Sequence, residues 1–250
     1  MNILITGVSS GIGWELVVSL VGKGHRVFGL ARREKLLEKL QKQVGKEYFD
    51  YISVDIGSPL AWSKVISKMD RQNFVPEVII FNAAIFEDDL HPNFNFALLE
   101  QHFQINFYSV MKGVEILLKK LDSAHFIAIS TIARLRGSSI EGVGYSSSKA
   151  ALSIAFEAFY QRYKNSSFEF TTVSLGPVKG GMSPFKSSAP FQLSLDQVVI
   201  GVEEAITEKA PAYYYPYWAF FMLHAIRLLP FNLDLKLFSL IELWHRQQKR

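Results

Sequence analysis

Apolar positions along the first two thirds of the chain follow two periods in turn. Residues 3–5, 26–30, 51–54, 78–81, 126–130 and 168–175 form short apolar runs. Several are unbroken, as in strands buried on both faces of a parallel sheet. Between them, residues 13–23, 34–44, 60–69, 98–118 and 145–163 carry longer helical patterns. Strand and helix alternating in this order predict right-handed βαβ crossovers. The expected fold is α/β, a doubly wound parallel sheet with helices on both faces, and a single domain through about residue 210. No internal repeat or low-complexity linker interrupts it.

Residues 183–195 break the pattern. They carry Ser, Pro, Lys, Phe185 and Phe191 without either period and read as a substrate lid loop. Helix signals resume at Ser194, an N-cap residue, with Asp196 in the first turn. Residues 213–231 then hold four Tyr, one Trp and three Phe, with Arg227 as the only formal charge. Leu233, Leu237, Leu240, Ile241 and Trp244 follow at three- and four-residue steps, which makes a packing face. Residues 211–250 are therefore expected to be an apolar, aromatic, helical extension of the same domain. Pro216, Arg227 and Pro230 spoil it as a membrane span. It fits a wall over the substrate site, a homo-oligomer interface, or a peripheral membrane contact through 213–250.

Composition narrows the chemistry. The chain has 250 residues, 49% hydrophobic, and no cysteine. Disulfides, cysteine-ligated zinc, iron–sulfur clusters and thiolate catalysis are excluded. Lys and Arg number 27 against 23 Asp and Glu, a net charge of +4 that is spread through mixed-sign helices. No dense basic stripe exists, so no nucleic-acid partner is expected. The six histidines show no paired ligand spacing, so no metal is expected, and each reads as an ordinary core or surface residue. Only Met1 and Asn2 precede the first apolar run, which lacks the features of a secretory signal, and a cytoplasmic location is the expectation.

Three features then carry the candidate chemistry. The first strand runs into Thr6-Gly7-Val8-Ser9-Ser10-Gly11-Ile12-Gly13 and a helix. Glycines there permit a tight turn and close approach of a pyrophosphate to free N–H groups at the helix start. The second strand ends in Ala31-Arg32-Arg33, where a cofactor lacking a 2′-phosphate would want an acidic residue. Arg32 offers a guanidinium suited to a phosphate, which favours NADP(H) over NAD(H). Tyr145 and Lys149 stand four apart at the start of a helix, on one face. A nearby cation stabilises phenolate and makes the tyrosine a usable proton donor and acceptor.

Together these features resemble the short-chain dehydrogenase/reductase family, over roughly residues 3 to 210. The resemblance implies a Rossmann-type fold, hydride transfer between a nicotinamide and a carbonyl or secondary alcohol carbon, and a homodimer or homotetramer. It places Gly7, Gly11 and Gly13, with Ser9, Ser10 and Ile12 between and beside them, around the cofactor pyrophosphate. It assigns Arg32 and Arg33 to the ribose phosphate, and Asp55, next to Ile56, to the adenine. Asn82-Ala83-Ala84 looks like the family's NNAG stretch, with alanine replacing its glycine. Asn106 matches the asparagine that holds a water in the proton relay, Tyr145 the acid/base, and Lys149 the residue that lowers its pKa and binds the nicotinamide ribose.

Two departures stand out. Where the family ends its fifth strand in Ser-Ser, this chain has Ser130-Thr131. Thr131 falls on the catalytic hydroxyl, with Ser130 as the alternative because one extra residue separates the pair from Tyr145. After the sixth strand, Gly176, Pro177 and Val178 fit the nicotinamide segment. Leu175 replaces a proline there, and Gly180 a threonine that contacts the cofactor amide. The substrate this reading implies is a small lipophilic ketone or alcohol. Two other classes stay open: an NADP(H)-binding pseudoenzyme or sensor, and a membrane-surface scaffold acting through residues 213–250.

Overall fold

The computed structural model describes residues 1–87, 93–135, 142–180, 192–218, 221, 224–225, 228 and 233. Seven parallel strands form one sheet in the order β3-β2-β1-β4-β5-β6-β7. They are β1 (Asn2–Thr6), β2 (Arg26–Ala31), β3 (Phe49–Ser53), β4 (Val78–Phe81), β5 (Ala124–Thr131), β6 (Phe168–Leu175) and β7 (Ala212–Tyr215). The unbroken apolar runs sit where the pattern requires, in the middle of the sheet. Ile3, Leu4 and Ile5 of β1, and Ile79 and Ile80 of β4, are fully buried.

Alternate residues feed two separate cores. Ile3, Ile5, Ile80 and Ile127 pack beneath α1 (Gly11–Gly22), α2 (Glu34–Val44) and α7 (Leu195–Glu208). Leu4, Phe81, Phe126 and Phe170 pack on the other face, beneath α3 (Ala61–Arg71), α5 (Ser109–Lys120) and α6 (Val143–Tyr163). Each such side chain contributes roughly 1.5–3 kcal/mol on leaving water. Strand order reverses between β1 and β4. In open α/β sheets the flanking connections part at such a switch point, and ligands bind outside the carboxyl ends of the strands there.

The helical pattern over 98–118 is realised with an interruption. Helix α4 (Phe96–Phe103) passes through a π-type turn at Gln104–Tyr108 into α5. The Trp62 indole donates to the Ser109 carbonyl at 2.7 Å, and the Ser109 hydroxyl to the Ile105 carbonyl at 2.6 Å. Gly113 lets the Trp62 ring lie against the helix, since a Cβ there would come within 2.3 Å of it. Such bulges recur at functional sites because one residue is displaced from the helical ladder. Here Asn106 lies within the turn and is fully buried.

The C-terminal expectation needs correcting in part. Residues 212–215 are the edge strand β7, not helix: Tyr213 is buried under α7 and Tyr215 packs on Gly201. Aromatic residues suit a half-buried edge strand, and the parallel edge offered by β6 overrides any helical tendency. The stripe from Leu237 to Trp244, and Arg227, lie outside the described residues. So do lid residues 183–191. The last part of the lid folds back, with Leu193 donating to the Pro177 carbonyl and accepting from Lys179 N. Ser194 caps α7 in a reciprocal capping box with Gln197. Among the described residues, no helix is long and apolar enough to cross a membrane.

Candidate active site

The glycine turn is built for close backbone approach. Gly7 has φ +78° and Gly11 φ +57°, which L side chains adopt at a cost. A Cβ on Gly13 would lie 2.2 Å from the Gly7 carbonyl oxygen, and one on Gly7 2.8 Å from Ala83 Cα. Asn82 locks the turn from β4. Its Nδ2 donates to the carbonyls of Thr6 and Gly7 at 3.1 and 3.0 Å, while the Thr6 hydroxyl accepts from the N–H groups of Asn82 and Ala83. Helix α1 starts here with no side-chain cap and no acidic residue in its first turn. Its first N–H groups and positive dipole end are therefore left to an anion, which fits a pyrophosphate.

The structure redistributes the two arginines. Arg33, not Arg32, reaches the turn: its guanidinium donates to Ser9 Oγ from Nε and Nη2 at 3.0 and 2.7 Å, and to Ser10 Oγ at 2.6 Å. The Arg32 carbonyl accepts from the Ser53 hydroxyl at 3.2 Å. On the far side of β2, exposed Asp55 accepts from Gly57 N at 3.0 Å, an Asx turn beside half-buried Ile56. Gln104 fixes that loop by donating to the Gly57 carbonyl at 3.0 Å.

The Asn106 side chain is tied to two neighbouring segments. Its Oδ1 accepts from Ile85 N at 2.9 Å, and its Nδ2 donates to the Ile85 carbonyl and to Ser148 Oγ, both at 3.1 Å. Both amide hydrogens are engaged by protein, and one Oδ1 lone pair is left for a water. The side chain pins the segment after Asn82-Ala83-Ala84 to α6.

Helix α6 presents the remaining groups. Lys149 is 3% exposed, and its Nζ donates to the Ile129 carbonyl at 2.7 Å. Burial pulls its pKa down to about 8. Tyr145, one turn earlier, is half-buried, with its ring edge-on to Phe86 at 5.0 Å between centroids. Ser130 and Thr131 are successive strand residues and point to opposite sides. Ser130 is buried, 2.9 Å from Ser153 Oγ and 3.4 Å from the Lys149 carbonyl. Thr131 is half-buried at the mouth of the strand. Arg134, in the short 3-10 turn that follows, ties the strand exit to Ser174 Oγ and the Tyr214 hydroxyl at 3.0 and 2.7 Å.

Comparison with known proteins decides the family. The model of the family described as short chain dehydrogenase matches residues 1–190. The chain belongs to that family. A probable NADP-dependent dehydrogenase of Dichelobacter nodosus is 39% identical over 85 residues, which cover 34% of this chain and 79% of that protein. A benzil reductase ((S)-benzoin forming) of Saccharomyces cerevisiae is 29% identical over 161 residues, covering 60% of this chain and 61% of the yeast enzyme. This chain thus spans about three fifths of that relative's length. A solved short-chain dehydrogenase from Sphingobium yanoikuyae in complex with NADPH superposes with a TM-score of 0.77 at 16% identity, over 86% of this chain and 88% of that one.

Against that family pattern, the segment after β6 has its own local logic. Gly176 donates to the Tyr215 carbonyl at 2.9 Å, and a Cβ there would press on Pro216. Val178 is buried and bridges to Leu193. Gly180, which replaces the short-chain dehydrogenase threonine, sits at φ +71° with open space beside it. A β-branched residue would be strained in that conformation. Sequence reasoning missed Phe86 and His102 as neighbours of Tyr145. Their signal was faint: a glycine, Gly144, immediately before the tyrosine. Among the described residues no group of His, Asp or Glu is arranged to hold a metal.

Proposed function

We propose that the protein is an NADP(H)-dependent oxidoreductase that interconverts a lipophilic ketone and its secondary alcohol, with Tyr145 as acid/base. One observation carries this reading: a lysine buried to 3% exposure, with no carboxylate partner among the described residues, one helical turn from a half-buried tyrosine. Burying that ammonium is costly, and a fold keeps such a group where it acts on something. Here it sits at the Ile129 carbonyl, two residues before Thr131 on β5.

A bound nicotinamide would supply or accept the hydride. The turn at Gly7, Gly11 and Gly13 and the start of α1 would hold the pyrophosphate, and Gly176, Pro177 and Val178 the nicotinamide side. Arg33 with Ser9 and Ser10 would take the 2′-phosphate, with Arg32 beside them. No acidic residue stands at the end of β2 to favour NAD(H). Asp55 and Ile56 would border the adenine. In the reducing direction the hydroxyls of Thr131 and Tyr145 donate to the carbonyl oxygen, and Tyr145 passes its proton to the oxygen as the alkoxide forms. The Lys149 ammonium stabilises the phenolate left behind. Asn106 keeps the facing segment in register, and Ser130 holds the Lys149 turn through Ser153.

Phe86, against Tyr145, supports an apolar substrate, as does the similarity to a benzil reductase. Exposed Tyr108 after α4 and Ile154 on α6 support a homo-oligomer built on these helices. The test is a panel of apolar ketones with NADPH, followed at the nicotinamide absorbance. Wild type should turn over aryl ketones and Tyr145→Phe should lose at least about a hundredfold in kcat. NADPH binding without turnover of any ketone, unchanged in Tyr145→Phe, would favour a cofactor sensor instead.

A further inference from the structure

His102 is 1% exposed, lies in α4, and has no part in the proton chemistry above. Both of its ring nitrogens are engaged. Nε2 is 3.3 Å from the Glu87 N–H, and a backbone N–H can only donate, so Nε2 carries the lone pair. Nδ1 then carries the hydrogen and donates to the Leu98 carbonyl at 2.8 Å. With its tautomer fixed this way, the ring is a strut between two backbone segments.

Three parts of the site meet on this strut. Its own helix leads into the π-type turn of Asn106. Glu87 follows two residues after Ile85, which Asn106 fixes through both N–H and carbonyl. Phe86 lies between these two anchored residues, so its ring projects in a set direction. Tyr145 is flanked edge-on by Phe86 at 5.0 Å and 83°, and by His102 at 6.3 Å and 74°. Gly144 permits this, since a Cβ there would lie 2.8 Å from His102 Nδ1 and 3.1 Å from Leu99 Cα. Edge-to-face pairs favour one ring orientation over others.

We infer that His102 is a positioning residue that sets the angle of the Tyr145 phenol, directly and through the Phe86 segment. This rests on the reading of Tyr145 as acid/base. The reaction is sensitive to such placement, because an error of about 1 Å at a reacting group can cost two orders of magnitude in rate.

Two variants separate the ring from its hydrogen bonds: His102→Phe keeps a ring without them, and His102→Gln keeps an acceptor and a donor without a ring. With NADPH and benzil, His102→Phe should lower kcat by roughly tenfold or more, with the NADPH KM within about twofold, and His102→Gln should recover part of the loss. A second readout needs no turnover. The ultraviolet difference titration of each protein against its Tyr145→Phe counterpart isolates the Tyr145 phenol. In His102→Phe its midpoint should move up by about one pH unit as the phenol loses register with the Lys149 ammonium. An unchanged kcat and midpoint in both variants, with only a lower melting temperature, would reduce His102 to a core residue. Benzil left unreduced by wild type, with the midpoint still moving, would overturn the proposed reaction while leaving the positioning role in place.

Discussion

Replacing Lys149 with methionine should make the protein more stable at neutral pH while destroying its activity. The ammonium is 3% exposed, and burial brings its pKa from 10.5 to about 8. Below pH 8 the group is protonated in both folded and unfolded chains, and the folded state carries the full cost of burying the charge. A shift of that size corresponds to roughly 3 kcal/mol, at 1.36 kcal/mol per pH unit. Between pH 8 and 10.5 the unfolded chain binds more protons than the folded one, so wild-type stability rises with pH over that window. By pH 10 wild type should have regained roughly 2–3 kcal/mol on the variant, a closing of the melting-temperature gap by roughly 5–10 °C. The assay is urea and thermal unfolding of both proteins from pH 7 to 10, followed by tryptophan fluorescence. Titrating groups remote from Lys149 cancel in the difference, and a Tyr145→Phe background in both proteins removes the phenol that the ammonium acts on. A gap that stays constant over this range would refute the argument, because it would mean that Lys149 is not under electrostatic stress in the fold.

Arg33→Ala should lower the preference for NADPH over NADH about 10- to 100-fold in a fluorescence titration, and Arg32→Ala should lower it less. The reverse ranking would show that the Arg33–Ser9–Ser10 contacts are only local. Thr131→Ala should reduce kcat by about a hundredfold with little change in melting temperature. Ser130→Ala should instead cost about 1 kcal/mol of stability through its bond to Ser153 and keep kcat within roughly threefold. Steady-state kinetics beside a thermal melt reads both, and equal kcat losses would reopen the choice of hydroxyl.

The sequence by itself determined the architecture. Unbroken apolar runs such as 78–81, alternating with helical stretches, admit little besides a parallel sheet covered on both faces, and β1 to β6 appear where they were expected. Backbone-demanding chemistry was legible for a related reason. Glycines at 7, 11 and 13 reflect a local need, a positive φ or no room for a Cβ, and local needs leave their mark in consecutive letters. Tyr145 and Lys149 were equally readable, since helical geometry alone puts positions i and i+4 on one face.

Tertiary structure decided whatever depended on a side chain's direction or on a partner distant in the chain. Arg32 and Arg33 are adjacent letters, and only the packed turn shows which guanidinium meets Ser9 and Ser10. Ser130 and Thr131 are separated by the strand's alternation combined with the position of α6. Residues 212–215 became a strand because β6 offered an edge, a fact absent from their own composition. His102 lies 43 positions from Tyr145, and nothing local distinguishes it from any other histidine on an amphipathic helix. Its place beside the phenol exists only once α4 and α6 cross at Gly144, because contacts between elements are set by packing rather than by any period in the chain.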